Sequence, residues 1–280
     1  MAINLSVVGE KSKEVEHPYG WKDVVLYHLG IGAKASELHY VYEGVKGGLK
    51  VIPTFSVIPS LEAVAHVSGK LGANPMMILH GEQGITIFKP IPMKGVFKTT
   101  AEVKGIYDKV KGALVQVETR TVDENGEELF SNYIGIFCRG EGGFGGEKQP
   151  DAKPVEPPAG KAPDFTGSYA VSEDQTALYR LSGDLNPLHI DPNFAKIGGF
   201  SRPILHGLCT YGIVCKTLIK GLCEDDPTRV KEYRARFSKP VMPGETITTK
   251  AWKLEDGFYA IEAETENNQI INQAYFKFTA

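Results

Sequence analysis

The chain has 280 residues, 42% of them hydrophobic and 23% charged, with a formal net charge of −3; this is the composition of a soluble globular protein with room for one large or two ordinary domains. The charge balance supplies no basic field for nucleic acid, and no apolar run approaches the roughly 20 residues of a membrane helix. The N-terminus lacks a basic segment followed by an apolar stretch, and Cys138, Cys209, Cys215 and Cys223 form no metal-type pair, so the cysteines read as buried thiols in a reducing compartment.

In chain order, the first half carries Leu26-Tyr-His-Leu-Gly30 and Phe88-Lys-Pro90. Three strand-like segments follow, Lys98 to Lys104, Leu114 to Val122 and Leu129 to Cys138, with a hairpin turn at Asp123-Glu-Asn-Gly126. Residues 139–163 replace this pattern with Gly, Pro, Lys and Glu and read as a linker. Inside it, Gly140 to Gly145 fits the glycine spacing of a dinucleotide loop, but the proline run Gln149 to Pro158 cannot form the helix that such a site requires.

The second half begins with Ser172-Glu-Asp-Gln175, which reads as a capping box. The helix it starts carries an apolar stripe of Ala177, Leu178 and Leu181, and Gly183 falls where a left-handed terminator is expected. Asp184 then lies just past a helix C-terminus, where the dipole disfavours a further negative charge. Asn186-Pro187 opens a stiff turn, and His189 follows on it. Singly, these are turn residues; together they place a carboxylate, a carboxamide and an imidazole where Asp184 and His189 can touch one water, as general acid/base chemistry needs.

Pro203-Ile-Leu-His-Gly207 leads into apolar residues at 208, 211, 214, 215, 218, 219 and 222, a helical spacing that predicts a buried helix with Gly207 in its first turn. A helix start has free N–H groups, and Gly207 lets a substrate carbonyl approach one of them closely; tight helix packing is the alternative reason for glycine there. After Ser238-Lys-Pro240 come strand-like segments Thr246 to Leu254, Phe258 to Thr265 and Gln269 to Phe278, with a turn at Glu255-Asp-Gly257. Leu178-Tyr-Arg-Leu-Ser182 echoes Leu26 to Gly30, and Ser238-Lys-Pro240 echoes Phe88-Lys-Pro90, both at a separation of about 150 residues, the mark of a duplication. The first copy has none of the Asp, Asn and His of the second.

The segment Tyr179 to Ala195, with its core Leu181-Ser-Gly-Asp-Leu-Asn-Pro-Leu-His189, resembles the signature of the hydratase 2 family, MaoC-like (3R)-specific enoyl-CoA hydratases such as the hydratase 2 unit of peroxisomal multifunctional enzyme type 2. Val41-Tyr-Glu-Gly44, Leu49 to Phe55, Leu79-His-Gly-Glu82, Phe88-Lys-Pro90 and Arg236-Phe-Ser-Lys-Pro240 are similar to its two-repeat members, so the likeness runs nearly end to end. It implies an α+β double hot-dog fold, two fused repeats each with a long central helix wrapped by an antiparallel sheet: an N-terminal non-catalytic repeat over 1–138, the linker, and a C-terminal repeat over 164–280 that carries the motif. It implies hydration of trans-2-enoyl-CoA to (3R)-3-hydroxyacyl-CoA in fatty acid β-oxidation, with no metal and no cofactor, CoA being part of the substrate.

By the same resemblance Asp184, Asn186, His189 and the Gly207 N–H are catalytic, Glu43 supplies a carboxylate from the first repeat, and His80, Gly81, Lys109 and Phe237 contact the acyl-CoA. His189 is the expected base and Asp184 the acid, as a coupled pair. His206 reads as a core or supporting residue, and Arg202 as a phosphate contact. The stretch from Gly44 to Pro59, where the first repeat's central helix should begin, has few strong helix formers, so that repeat is expected to open a tunnel for the acyl chain. The resemblance further implies a homodimer, a (3R)-hydroxyacyl-CoA dehydrogenase as fused or working partner, and the peroxisome, although Phe278-Thr-Ala280 is not an S-K-L type signal. The competing readings are an acyl-CoA thioesterase of the same fold and a non-catalytic acyl-CoA-binding module; the first would release free thiol, and the second would need no Asp–His pair.

Overall fold

The computed structural model describes residues 3–146, 149–150 and 154–280. Residues 1–2 of the expected N-terminal repeat, and 147–148 and 151–153 of the expected linker, lie outside the described residues.

The elements in order are β1 (Val15–Tyr19), α1 (Trp21–Gly30), α2 (Leu38–Val41), a 3₁₀ turn (Pro53–Val57), α3 (Ser60–Ser68), β2 (Ile78–Ile87), β3 (Gly95–Asp108), β4 (Gly112–Val122) and β5 (Glu128–Arg139). There follow β6 (Phe165–Ala170), α4 (Gln175–Tyr179), α5 (Pro192–Ile197), α6 (Gly207–Leu222), β7 (Val230–Phe237), β8 (Thr246–Glu255), β9 (Phe258–Glu264) and β10 (Gln269–Phe278). All ten strands form one antiparallel sheet in the order β1-β3-β4-β5-β2-β7-β10-β9-β8-β6. Counted inward from either edge the order is the same, β1-β3-β4-β5-β2 meeting β6-β8-β9-β10-β7, so each half contributes five strands and the halves join at β2 and β7.

That seam pairs Glu82 with Arg236 and Ile85 with Tyr233. The Arg234 guanidinium crosses it to the Glu82 carboxylate at 3.0 Å while lying 3.8 Å over the Tyr133 ring. The sequence pattern shows only three strands per half, missing the short edge strands β1 and β6 and the seam strands β2 and β7. Gly81 and Gly84 interrupt β2.

In the second half α6 is the central helix, buried on nearly all sides through its first nine residues, Leu208 to Cys215 among them. A Cβ at Gly212 would come within 2.5 Å of Ile31, so only glycine lets α6 lie this close to the end of α1. The core around α6 reaches into the first half through Tyr27, Phe55, Phe97 and Phe130. A separate cluster of Ala63, Val67, Leu71, Val103, Val115 and Ile136 lies under α3. The first half's α3 is shorter than α6 and begins only at Ser60: residues 44–52, within the stretch where that helix is expected to begin, lie outside any helix, and Pro53–Val57 is a 3₁₀ turn.

Gly140 to Gly145 forms no phosphate loop: the Gly143 and Gly145 amides donate to the Asp108 carboxylate at 2.9 and 2.7 Å. The four cysteines are buried and free, and burial pushes their thiols up.

Candidate active site

The residue before Gly183 closes a short helical segment, α4 continued by a 3₁₀ turn over Arg180–Ser182, and Gly183 takes φ = 133°, which favours glycine. The capping box expected at its start is absent. Ser172 Oγ accepts from the Asp174 N–H at 3.2 Å, but the Gln175 side chain turns inward to the Gly30 carbonyl and the Tyr169 hydroxyl. The expected apolar stripe is also misassigned: Ala177 and Leu181 are exposed, and the face that packs on α1 carries Gln175, Thr176 and Tyr179. A polar but hydrogen-bonded Gln175 displaces leucine from the contact because it satisfies the carbonyls at the end of α1.

The turn that follows aims three groups at one another. Asn186 caps the 3₁₀ turn Pro187–His189 by accepting the Leu188 N–H at 3.0 Å, and its own N–H donates to Asp184 Oδ1 at 3.2 Å. His189 is buried, and its Nδ1–H donates to the Ile204 carbonyl at 2.8 Å. That contact puts the ring's lone pair on Nε2. Burial pushes the His189 pKa down, against the pull of the Ile204 carbonyl and Asp184, and so favours the neutral imidazole. Donor atoms of Asp184, His189 and His206 all lie within 4.8 Å of one another. Such a set is close enough for a metal ion, but an ion shared by both histidines would have to lie in both ring planes, and these rings are stacked 3.8 Å apart.

Gly207 is the first residue of α6, and its N–H makes no hydrogen bond among the described residues. A Cβ there would meet the Phe237 ring at 3.8 Å, which is ordinary contact. Phe237 in turn packs edge-on against His80, ring centres 5.5 Å apart. Gly81 is the extra residue of a β-bulge, sitting between His80, paired with Ile136, and Glu82, paired with Gly135. His80 Nε2–H donates to the Glu82 carbonyl, and the Asp184 charge acts on the His80 ring against the lowering effect of its burial.

The structure thus brings Asp184, Asn186, His189, Gly207, Phe237, His80 and Gly81 to one place. Glu43 and Lys109 make no hydrogen bond or ion pair with them among the described residues. Glu43 is exposed in the turn after α2, with no side-chain hydrogen bond or ion pair among the described residues. Lys109 sits in the β3–β4 hairpin, its Nζ bonded to Gln149 at 2.7 Å. Arg202, expected to meet phosphate, is committed to Glu173 at 3.3 Å and the Pro243 carbonyl at 2.6 Å.

Sequence reasoning missed the apolar rim: Leu181, Leu185 and Ile197 are 57, 59 and 73% exposed. Three exposed large apolar side chains within the segment that carries the polar cluster are the available signal.

Comparison with known proteins meets this geometry. A family model described as the MFE-2 hydratase 2 N-terminal domain matches residues 17–140, and one described as a MaoC like domain matches 154–273. A probable enoyl-CoA hydratase 2 of Dictyostelium discoideum is 42% identical over 94% of this chain and 91% of its own length. The chain belongs to the MaoC-like hydratase 2 family. A solved MaoC-like dehydratase from Phytophthora capsici, 33% identical, superposes with a TM-score of 0.90 over 99% of this chain and 98% of that one. The architecture is accordingly the double hot-dog. A peroxisomal hydratase-dehydrogenase-epimerase of Neurospora crassa is 39% identical over 97% of this chain, which spans 29% of that longer protein. The hydratase 2 signature falls on the α4–α5 connection, and the family's two domain models divide between the two halves of the sheet.

Proposed function

We propose that the Asp184–His189 pair carries out the family's reaction, reversible hydration of trans-2-enoyl-CoA to (3R)-3-hydroxyacyl-CoA, a hydro-lyase activity. The carrying observation is the convergence of three groups: a half-buried carboxylate, a buried neutral imidazole with its lone pair on Nε2, and a free N–H at the start of α6. Water lies between Asp184 and His189. As its oxygen bonds to C3, His189 Nε2 takes the water's proton and the Asp184 carboxyl delivers one to C2 from the same side. The two residues then exchange the proton between them, so the pair returns to its starting state. Charge that gathers on the thioester oxygen in the enolate-like state meets the Gly207 N–H and the positive end of α6. Asn186 holds the turn that aims Asp184. None of these steps calls for a metal or a cofactor.

Phe237 and His80 line the approach to Gly207 and suit the acyl or adenine face of the substrate, with Gly81 setting the bulge that places His80. Ile58 and Leu61 lie within 3.8 Å of a Cβ built on Gly183, which supports a path for the acyl chain from the catalytic turn toward the first repeat. Lys109 is exposed and suits a CoA phosphate. Glu43 acts, in this reading, only through the fold of the first repeat. The relative fused to a dehydrogenase supports a (3R)-hydroxyacyl-CoA dehydrogenase as the next enzyme, and its peroxisomal name supports that compartment.

Loss of enoyl-thioester absorbance, coupled to a dehydrogenase specific for the (3R)-alcohol, tests the reading. Product that couples only to a (3S)-specific enzyme, or appearance of free CoA thiol in place of the alcohol, rejects it.

A further inference from the structure

His206 is fully buried at the last position before α6, between two rings: Tyr179 at 4.9 Å and His189 at 3.8 Å, the latter tilted by 29°. Its Nε2 lies 3.2 Å from the backbone carbonyl of Asp184. A carbonyl oxygen only accepts, so Nε2 carries the proton and Nδ1 the lone pair. That Nδ1 is buried without a partner among the described residues.

We infer that His206 is a positioning residue that holds the acid, the base and the oxyanion donor in one register. Its Nε2–H anchors the Asp184 backbone, its ring face fixes the plane of His189, and its own peptide bond carries the Gly207 N–H. The side chain thereby reaches both Asp184 and His189, its backbone leads directly into the Gly207 N–H, and it need not meet substrate. The inference rests on the assignment of Asp184 and His189 to the chemistry. A ring that only filled space would leave no reason for a histidine, because a buried nitrogen without a partner costs stability that phenylalanine would not. Burial pushes the ring's pKa down, with His189 and Arg180 acting the same way and the Asp184 carboxylate and backbone carbonyl acting against them, which favours the neutral ring.

The test uses two variants and the unaltered protein. His206→Phe keeps the stacked ring and removes the N–H, whereas His206→Gln keeps a donor at about the reach of Nε2. His206→Phe is expected to lower kcat about a hundredfold, the effect of a small misplacement of reacting groups, with KM changed less than about threefold. His206→Gln, which restores the anchor of Asp184 but not the ring against His189, is expected to recover about tenfold of that loss and to keep the wild-type pH profile of kcat. Equal kcat in the Phe variant and the unaltered protein, or equal loss in both variants, overturns the inference. Because a variant can fail to fold, ring-nitrogen NMR of the unaltered protein decides independently: His206 is expected as the Nε2–H tautomer and His189 as the Nδ1–H tautomer, and a Nδ1–H His206 overturns the idea. If Asp184→Asn and His189→Gln retain turnover, the assignment beneath it fails instead.

Discussion

Tyr27 and Tyr179 hold the same place in the two repeats, each the second residue of its Leu-Tyr echo, and their rings meet across the junction at 6.0 Å, both fully buried. The backbone follows: a Cβ at Gly30 would lie 3.2 Å from Tyr179 Cα. The duplication thus folds back on itself, and the halves share one core. Tyr27→Ala should cost about 3–5 kcal/mol through the cavity it leaves. Urea unfolding monitored by circular dichroism measures this, and a cost near zero would mean that the junction collapses to fill the space.

Asp184→Asn and His189→Gln should each lower turnover by roughly two or more orders of magnitude while the protein stays folded. Steady-state hydration rates alongside thermal melting separate the two effects. Near-normal turnover in either variant returns that residue to a purely structural role.

If Gly207 acts through its backbone, Gly207→Pro should abolish activity by removing the donor, although proline suits the first turn of a helix. Gly207→Ala should lose much less, since its methyl meets Phe237 at an ordinary 3.8 Å. Comparable losses in both variants would point to steric exclusion rather than to an oxyanion contact.

His28 links pH to stability. Its Nδ1–H donates to the Tyr40 carbonyl and its Nε2 accepts the Ile52 N–H, and burial pushes its pKa from 6.5 to about 4. Between those values the unfolded chain binds a proton that the native one refuses. The contribution is therefore complete above pH 6.5 and is lost as pH falls toward 4, at up to about 1.4 kcal/mol per pH unit. His206 acts in the same direction. Denaturant midpoints measured at pH 7 and pH 5 should fall with acid, and His28→Gln should flatten the slope; an unchanged slope would assign the acid sensitivity elsewhere.

If the acyl chain runs toward the first repeat, kcat/KM should rise from four-carbon to medium-chain enoyl-CoA, each buried methylene contributing up to about 0.8 kcal/mol, and then level off. Leu61→Trp, beside Gly183, should shift the preference to short chains. Strict preference for the shortest substrate in the unaltered protein would mean that the first repeat is filled.

The sequence by itself determined what local chemistry and period can encode. The stiff turn around Asp184, Asn186 and His189, the apolar period of α6 with Gly207 at its start, and the three strands after each Lys-Pro, β3 to β5 and β8 to β10, all depend on neighbours a few residues apart. It also showed the duplication, because the echo between Tyr27 and Tyr179 is a comparison of strings. Only the tertiary structure decided which side chains meet. Gln175 rather than a leucine faces α1 because the helix end it meets presents unpaired carbonyls, and Leu181 is turned out to the rim as a result. His206, read from the sequence as a core or supporting residue, lies against both Asp184 and His189, while Glu43 and Lys109, which the resemblance assigned to function, make no hydrogen bond or ion pair with the cluster among the described residues. Contacts across the junction of two repeats join residues more than a hundred positions apart, such as Gly30 with Tyr179, and no pattern along the chain specifies them; packing around α6 does.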